Sequence, residues 1–187
     1  MTETPRRILL HGVTGSGKST AAARIAERLG LPLLLADEVG WLPGWVQRDE
    51  GEQRAMVAAA TAQREWVLDS TYSKWRDAVS GRPELIIGLD YPRWFSLQRL
   101  IRRTARRIVT GELVCNGNRE TLRKALARDS IVVWHFRSWK RKRRTMRAWA
   151  ADATAPPTLL FRRAAELDAW IEALPGARDA VDEASLD

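Results

Sequence analysis

The residues with the clearest chemical meaning lie close to the N terminus. The segment GVTGSGKS at Gly12–Ser19 matches the pattern G-x-x-x-x-G-K-[ST] at every fixed position, between a strand-like and a helix-like stretch. Glycines let such a loop curl its backbone N–H groups inward as an anion-binding nest, and the positive end of the following helix adds to that field. The pattern predicts a phosphate-binding loop, a P-loop, for ATP; its predicted contacts are Gly12, Thr14, Gly15, Ser16, Gly17, Lys18, Ser19 and Thr20.

Two side chains of this loop have distinct predicted roles. Lys18 is expected to reach the β- and γ-phosphates, and the Ser19 hydroxyl to fill one coordination position of Mg²⁺. Thr20 is expected to assist at the α-phosphate. The alternative is a glycine-rich turn that matches the pattern by chance, and the strand and helix predicted on either side argue against it.

Three aspartates follow short apolar stretches of the chain: Asp37, Asp69 and Asp90. In an open α/β sheet, ligands bind outside the carboxyl ends of the strands, where such carboxylates can hold Mg²⁺ or accept a proton. Asp69 is the predicted metal-shell residue. Asp37 fits a substrate-orienting or basic role and a helix cap equally well. Asp90, beside Tyr91 and Pro92, favours a turn or a helix cap.

Basic residues are concentrated in one segment of the chain. The whole chain has a formal net charge of +8, yet the segment Pro92–Arg147 alone holds seventeen Lys or Arg residues against three acidic ones. At 100° per residue, a helix over 94–108 predicts a packed face opposite a basic face. The packed face comprises Leu97, Ile101 and Ile108; the basic face comprises Arg99, Arg103, Arg106 and Arg107. The apolar run 131–136, which precedes a second basic cluster at 137–147, is predicted to be buried.

Two functions are compatible with this basic segment. The first is a P-loop kinase that transfers the γ-phosphoryl group of Mg-ATP to a small acceptor, either a nucleotide or a hydroxyl compound. Arginines that close over a nucleotide stabilise the charge of a transferring phosphoryl group and exclude water. Gly111, Asn116, Gly117 and Asn118 predict a mobile loop or flap, so residues 110–130 would form a small arginine-rich lid. The alternative is a nucleotide-regulated nucleic-acid-binding protein whose segment 92–147 contacts backbone phosphates and stacks bases on its tryptophans.

The elements that position these residues alternate along the chain. Apolar runs predict strands at 6–11, 31–36, 66–68, 84–89 and 158–161, and the segments between or after them predict helices at 19–29, 53–64, 94–108 and 164–174. Helices between short apolar strands indicate a parallel sheet with helices on both faces. We expect a single α/β domain over residues 1–174, with a flexible acidic tail at 175–187.

Composition limits the remaining classes of protein. The 187 residues include one cysteine, Cys115, which excludes an internal disulfide and any zinc site with several cysteines. The two histidines lie far apart in sequence, so a histidine-based metal site is improbable. No apolar run reaches the ~18 residues of a membrane helix or forms a signal-peptide core. The composition therefore favours a cytoplasmic protein without a membrane partner.

Several motifs together resemble a known family. The P-loop, Asp37 with Trp41-Leu42-Pro43-Gly44-Trp45, the segment Trp66–Asp69, Asp90-Tyr91-Pro92-Arg93-Trp94 and the basic block after Phe136 occur in this order. This order resembles adenylate-kinase-like P-loop proteins of the kind described as DNA topology modulation proteins. The resemblance covers residues 6–174. It implies a three-layer P-loop NTPase fold similar to nucleoside monophosphate kinases, with ATP and Mg²⁺ as ligands.

The resemblance also implies roles for arginines outside the P-loop. Arg99 would stack on adenine at the lid entrance, Arg103 would contact the phosphates, and Arg137 and Arg141 would be the returning lid arginines. The sequence departs from adenylate kinases after its third strand, where Ser70–Ser73 replace the Gly-x-Pro-Arg whose arginine holds the acceptor phosphate. Small-molecule kinases of similar architecture place an aspartate after the second strand, and Asp37 stands in that place.

Overall fold

The parallel sheet is built around the strand that leads into the P-loop. In a computed structural model, which describes residues 4–125 and 130–176, the apolar run Ile8–Leu10 is buried at the centre of strand β1 (Arg7–Gly12). Ile8 aligns with Val67 on one neighbouring strand and with Leu85 on the other, and both neighbours run parallel to β1. A strand that is paired at both edges and covered on both faces needs apolar residues at consecutive positions, which explains its unbroken run.

Five parallel strands form this sheet in the order β2–β5–β1–β6–β9, where β2 is Leu33–Leu34, β5 is Trp66–Leu68, β6 is Leu85–Leu89 and β9 is Thr158–Phe161. Two antiparallel hairpins stand apart from it. They pair β3 (Trp41–Leu42) with β4 (Val46–Gln47), and β7 (Leu113–Val114) with β8 (Asn118–Arg119). The helices are α1 (Lys18–Leu29), α2 (Ala36–Gly40), α3 (Glu50–Thr61), α4 (Arg76–Val79), α5 (Arg93–Thr110), α6 (Leu122–Ala125), α7 (Ile131–Ala151) and α8 (Ala164–Glu172).

Helices cover both faces of the sheet, so the predicted three-layer α/β fold is confirmed. Side chains alternate between the two faces of each strand. Ile8 and Leu10 pack into one core with α1 and α8, whereas Leu9 packs into a second core with α3, α4 and Trp149 of α7. Within the described residues, no helix is long and apolar enough to cross a membrane. The predicted tail lies outside the described residues from 177 onward.

Two predicted boundaries differ from the structure because side chains capture backbone N–H groups. The second strand was expected to reach Ala36, but the Ala36 N–H donates to the Asp69 carboxylate at 2.8 Å, and the chain turns there into α2. Helix α3 begins before the expected Gln53 because the Asp49 carboxylate accepts hydrogen bonds from the N–H groups of Gly51 and Glu52. An aspartate that caps a helix in this way fixes its first turn.

Helix α5 packs by a different face from the one that its apolar residues predict. Its buried residues are Ser96, Leu100 and Thr104, whereas Ile101 is 50% exposed. The prediction that Leu97, Ile101 and Ile108 form the packed face is therefore wrong. The small side chain of Ser96 suits a close approach to Gly15 of the P-loop, which a helical wheel weighted by hydrophobicity does not detect.

Helix α7 also differs from expectation in its first two turns. His135 is fully buried, but its neighbours Trp134 and Phe136 are 49% and 45% exposed, so the predicted burial of the whole run 131–136 is wrong. Arg93 of α5 lies over the Phe136 ring at 4.4 Å, and Arg141 lies over the Trp134 ring at 5.6 Å. These exposed aromatic rings are thus partly covered by cations.

A buried carboxylate, paired with two partly exposed arginines, fastens α7 to the end of β6. The Asp90 side chain has no exposed surface and accepts hydrogen bonds from Arg143 Nε at 2.7 Å and from Arg147 Nε and Nη2 at 2.9 and 2.8 Å. Asp90 was expected to favour a turn or a helix cap, but no side chain caps α5, whose N-cap is Pro92. The Asp90 carboxylate instead forms ion pairs with Arg143 and Arg147, two arginines of the second basic cluster.

Removing both arginines should destabilise the fold. In the double variant Arg143→Ala/Arg147→Ala, Asp90 remains buried without a counter-charge, and we expect the free energy of unfolding to fall by about 3 kcal/mol. Urea denaturation measures this change. The control Arg137→Ala/Arg144→Ala removes two exposed arginines from the same helix and should leave the value within about 0.5 kcal/mol. Equal losses in the two double variants would contradict the assigned role of Asp90.

Candidate active site

The P-loop leaves β1 at Gly12 and turns into α1 through two left-handed glycines. Gly15 and Gly17 have φ values of 83° and 95°, a region that glycine adopts without steric cost. Gly17 is the N-cap of α1, and no side chain caps that end of the helix. The N–H groups of the first turn therefore remain open to an anion, as a phosphate-binding loop requires.

The loop is held from behind by α5 and from the side by α7. A Cβ placed on Gly15 would lie 2.7 Å from Leu100 Cβ and would collide with the Ser96 carbonyl. The buried His135 ring of α7 donates a hydrogen bond from Nδ1 to the Thr14 carbonyl at 2.9 Å. Burial lowers the pKa of His135, so a neutral ring with the proton on Nδ1 makes this contact. No sequence motif marked His135 for this positioning role.

A Cβ at Gly15 should damage the site more than the same change elsewhere. Gly15→Ala and Gly81→Ala both place alanine at a positive φ, at a cost of about 1 to 2 kcal/mol, but a Cβ at Gly81 meets no atom within 4 Å. Only Gly15→Ala pushes α5, and the arginines on it, away from the loop. For the phosphoryl transfer that the P-loop motif predicts, we expect a fall of about a hundredfold in Gly15→Ala alone, measured by ADP release. Equal activity in the two variants would contradict this close packing.

Lys18 lies within the loop that it is predicted to serve. Its Nζ donates to the Val13 carbonyl at 3.1 Å, and burial lowers its pKa, an effect that Asp69 and Asp37 oppose. Within the described residues, no carboxylate comes within ion-pair distance of Lys18. The Lys18 ammonium group is therefore held at the loop by a hydrogen bond to a carbonyl oxygen, and a phosphate oxygen can take the place of that acceptor.

Ser19 and Asp69 come together at the base of the loop. The Ser19 hydroxyl donates to Asp69 Oδ2 at 2.6 Å, and the buried Asp69 has a raised pKa, chiefly because of desolvation. Within residues 4–125 and 130–176, no cluster of three or more histidine, cysteine or acidic side chains could hold a metal ion on its own. Mg²⁺ usually takes one or two protein ligands together with phosphate and water oxygens, and this pair fits that need.

Asp37 lies exposed in the first turn of α2, facing the loop that follows β5. Its Oδ1 accepts a hydrogen bond from the Tyr72 hydroxyl, whose pKa is raised by burial and by Asp37. The charge of Asp37 also acts on Lys18 and on Arg103. Asp37 is thus accessible to a small molecule, fixed in orientation by Tyr72 and close to the loop.

Arg99 and Arg103, one turn apart on α5, face the P-loop side of the molecule. A guanidinium nitrogen of Arg99 lies 3.0 Å from the point that a Cβ on Gly17 would occupy. Arg103 is half-buried, its Nε has no hydrogen-bond partner among the described residues, and desolvation lowers its pKa. The next arginines along the helix are engaged elsewhere, since Arg106 pairs with Glu112 and Arg107 with Glu120, both at 2.9 Å.

The other predicted site residues occupy varied positions. Thr14 and Ser16 lie inside the loop, Ser16 being buried, and Thr20 is exposed at the start of α1. Arg137 and Arg141 are exposed on α7, and in the described part of the chain no hydrogen bond or ion pair joins either of them to the P-loop. Their role as returning lid arginines stays a prediction.

The β7–β8 hairpin, expected as a mobile loop or flap, docks on the β3–β4 hairpin through two asparagines. The buried Asn118 accepts from the Trp45 N–H at 2.6 Å and donates to the Leu42 carbonyl at 3.0 Å. Asn116 donates to the Trp41 carbonyl at 2.7 Å. Trp41 and Trp45 contact each other edge to face at 5.8 Å within this junction.

Known structures share this architecture at low sequence identity. A gluconokinase from Sinorhizobium meliloti 1021 has a TM-score of 0.53 and 19% identity, covering 90% of this chain and 88% of that chain. A shikimate kinase from Acinetobacter baumannii, in complex with shikimate, has a TM-score of 0.53 and 20% identity, covering 89% of each chain. No protein-family model and no curated protein sequence matches the chain. The likeness establishes a P-loop kinase-like fold.

Proposed function

We propose that this chain is an ATP-dependent phosphotransferase that moves the γ-phosphoryl group of ATP to a hydroxyl group of a small acceptor. The observation that carries the proposal is the contact between Ser19 and Asp69 beneath an uncapped helix terminus, with Lys18 beside it. The combination offers backbone N–H groups and a cation to phosphates and a hydroxyl–carboxylate pair to Mg²⁺. The names of the neighbours support it, since gluconokinase and shikimate kinase are kinases named for small hydroxylated molecules.

Each group of site residues has a separate role in the proposed reaction. The P-loop N–H groups and Lys18 would bind the β- and γ-phosphates, and Ser19 and Asp69 would hold Mg²⁺, which neutralises phosphate charge when bound. Arg99, over Gly17, and the half-buried Arg103 would stabilise the charge on the transferring group. Asp37, oriented by Tyr72, would position the acceptor hydroxyl and accept its proton.

Closure of a lid completes this proposal. We propose that the predicted lid is formed by residues 110–125 together with residue 130, with the β7–β8 hairpin as its docking part and Asn116 and Asn118 as its contacts to the β3–β4 hairpin. Residues 126–129 of the predicted lid lie outside the described residues. Cys115 lies in this hairpin, and burial raises the pKa of its thiol to about 12, so the thiol stays protonated and takes no part in the chemistry. The docked hairpin would shield the Asp37 side of the site from water during transfer.

The distribution of the basic residues favours a kinase over a nucleic-acid-binding protein. Arg106, Arg107, Arg143 and Arg147 already pair with carboxylates, and Arg93 lies over an aromatic ring. These cations are therefore less available to a phosphate backbone than the charge of segment 92–147 suggests.

Two further proposals rest on the sequence alone. We propose kinship with DNA topology modulation proteins from the sequence motifs, and we propose a cytoplasmic location from the composition.

A panel of acceptors tests the proposed activity. Each acceptor is incubated with Mg-ATP, and ADP is measured against the slow hydrolysis without acceptor; the panel spans sugars, sugar acids, nucleosides and nucleoside monophosphates. We expect at least one acceptor to raise ADP release in the wild type and none to do so in Lys18→Ala. An entire panel at the hydrolysis background would contradict the proposal.

A further inference from the structure

A group of cations near the P-loop is not neutralised by ion pairs within the described residues. Lys142 of α7 and Arg76 of α4 are both half-buried, and the positive charges of Lys18 and Arg76 both act on Lys142. Within the described residues, neither Lys142 nor Arg76 forms an ion pair, whereas nearby Lys74 pairs with Glu50 at 3.3 Å. Cations held this close together out of bulk water are unfavourable unless an anion joins them.

Polar groups without partners lie at the same place. Lys142 Nζ donates to the Thr71 carbonyl at 3.4 Å, which places the amine at the loop after β5, two residues beyond Asp69. The Thr71 side chain is 1% exposed, and its hydroxyl has no hydrogen-bond partner among the described residues. Arg76 Nε is likewise buried and unpartnered there. Buried polar groups in native proteins are nearly always hydrogen-bonded, so these donors point to a ligand.

We propose that Lys142, Arg76 and the Thr71 hydroxyl form a second anion-binding subsite, which takes an anionic group carried by the phosphoryl acceptor. This inference rests on the proposed function. It narrows the acceptor to a molecule that carries both a hydroxyl group and a negative charge, as a hydroxycarboxylate or a phosphate monoester does. The phosphates of the nucleotide are bound by the P-loop and Lys18, so the anion at this subsite is that of the acceptor.

The charged surroundings of Lys142 supply a direct readout. Burial, together with the charges of Lys18, Arg76 and Arg141, lowers the pKa of Lys142 to about 7, and only Asp69 opposes this. His11 of β1 faces the same group but has a pKa lowered well below its usual value, so it adds no charge. An anion bound beside Lys142 favours the ammonium form and must raise this pKa. At pH 8 the amine would then take up a proton when the anion binds.

The experiment follows the Lys142 side chain by NMR in protein labelled with ¹³C-lysine. The Lys142 pKa is measured in the free protein, with Mg²⁺ and a non-hydrolysable ATP analogue, and after further addition of glycolate, methyl phosphate or neutral ethylene glycol. We expect glycolate or methyl phosphate to raise the pKa by about one pH unit, and ethylene glycol to leave it unchanged. Lys142→Arg assigns the resonance.

Matched variants test the other two members of the subsite. Arg76→Met and Thr71→Val should weaken binding of the effective anion, Arg76→Met by about tenfold, while Lys74→Met, in the same loop, should leave it unchanged. The inference is overturned if both anions act like ethylene glycol, or if the ATP analogue alone produces the whole shift. Failure of the analogue to bind at all would instead overturn the proposed function, so the two failures can be told apart.

Discussion

Phosphoryl transfer by Lys18→Ala is expected to fall at least about a thousandfold below the wild type, with the fold preserved. Within the described residues Lys18 forms no ion pair, and its Nζ donates a hydrogen bond to the Val13 carbonyl, so its removal costs the core little. The variant lacks a cation held in a desolvated site, where it stabilises phosphate charge far better than water does. The measurement is ADP release with the best acceptor of the panel.

Lys140→Ala is the matched control for this variant. Lys140 is an exposed lysine on α7, so its removal changes the net charge equally without touching the loop. Circular dichroism and thermal unfolding of both variants should match the wild type. Retention of more than about a tenth of the activity in Lys18→Ala would contradict the assignment of the P-loop as the catalytic site.

Arg103→Ala should lower kcat about a hundredfold or more, with a smaller change in KM for ATP. Arg103 is half-buried, its Nε is unpartnered among the described residues, and its pKa is lowered by desolvation and by Arg107. A partly desolvated guanidinium interacts most strongly with the negative charge that develops on the transferring phosphoryl group in the transition state. Arg106→Ala is the control, because Arg106 lies on the same helix but is exposed and paired with Glu112.

The same two variants separate the kinase from a nucleic-acid-binding protein. If segment 92–147 were a nucleic-acid surface, Arg103→Ala and Arg106→Ala would weaken DNA binding alike. Each would also reduce the slope of log affinity against log salt by about one unit for every DNA phosphate that the variant no longer neutralises. A kinase site predicts instead a large loss of transfer in Arg103→Ala alone. Equal, small effects of both variants on transfer would contradict the assigned role of Arg103.

The sheet could be predicted from sequence because each strand carries its own signal. β5 and β9 have the predicted bounds, since consecutive apolar residues such as Trp66, Val67 and Leu68 suit a strand covered on both faces. The P-loop carries a similarly local signal, because its glycines and Lys18 serve a geometry set within eight residues. Asp69 was a predicted candidate for the same reason, as it directly follows a buried strand.

Features that depend on contacts distant in sequence could not be predicted in this way. The packed face of α5 is decided by its approach to Gly15, which favours Ser96 over the larger Ile101. The pairing of Asp90 with Arg143 joins residues 53 positions apart, and the contact of His135 with Thr14 joins residues 121 apart. The role of α7 therefore depends on tertiary contacts that its own sequence pattern does not reveal. That pattern shows only that basic and aromatic residues are interspersed along the helix.

Calorimetric titration with a non-hydrolysable ATP analogue tests whether the P-loop binds a triphosphate together with an Mg²⁺ ion that Ser19 and Asp69 coordinate. The wild type should bind one analogue per chain, and chelation of Mg²⁺ should weaken binding about tenfold or more. Asp69→Asn should bind the analogue with little response to Mg²⁺, because the anionic ligand is gone. If the affinity for the analogue does not depend on Mg²⁺ in the wild type, or is unchanged in Lys18→Ala, this loop does not bind the nucleotide.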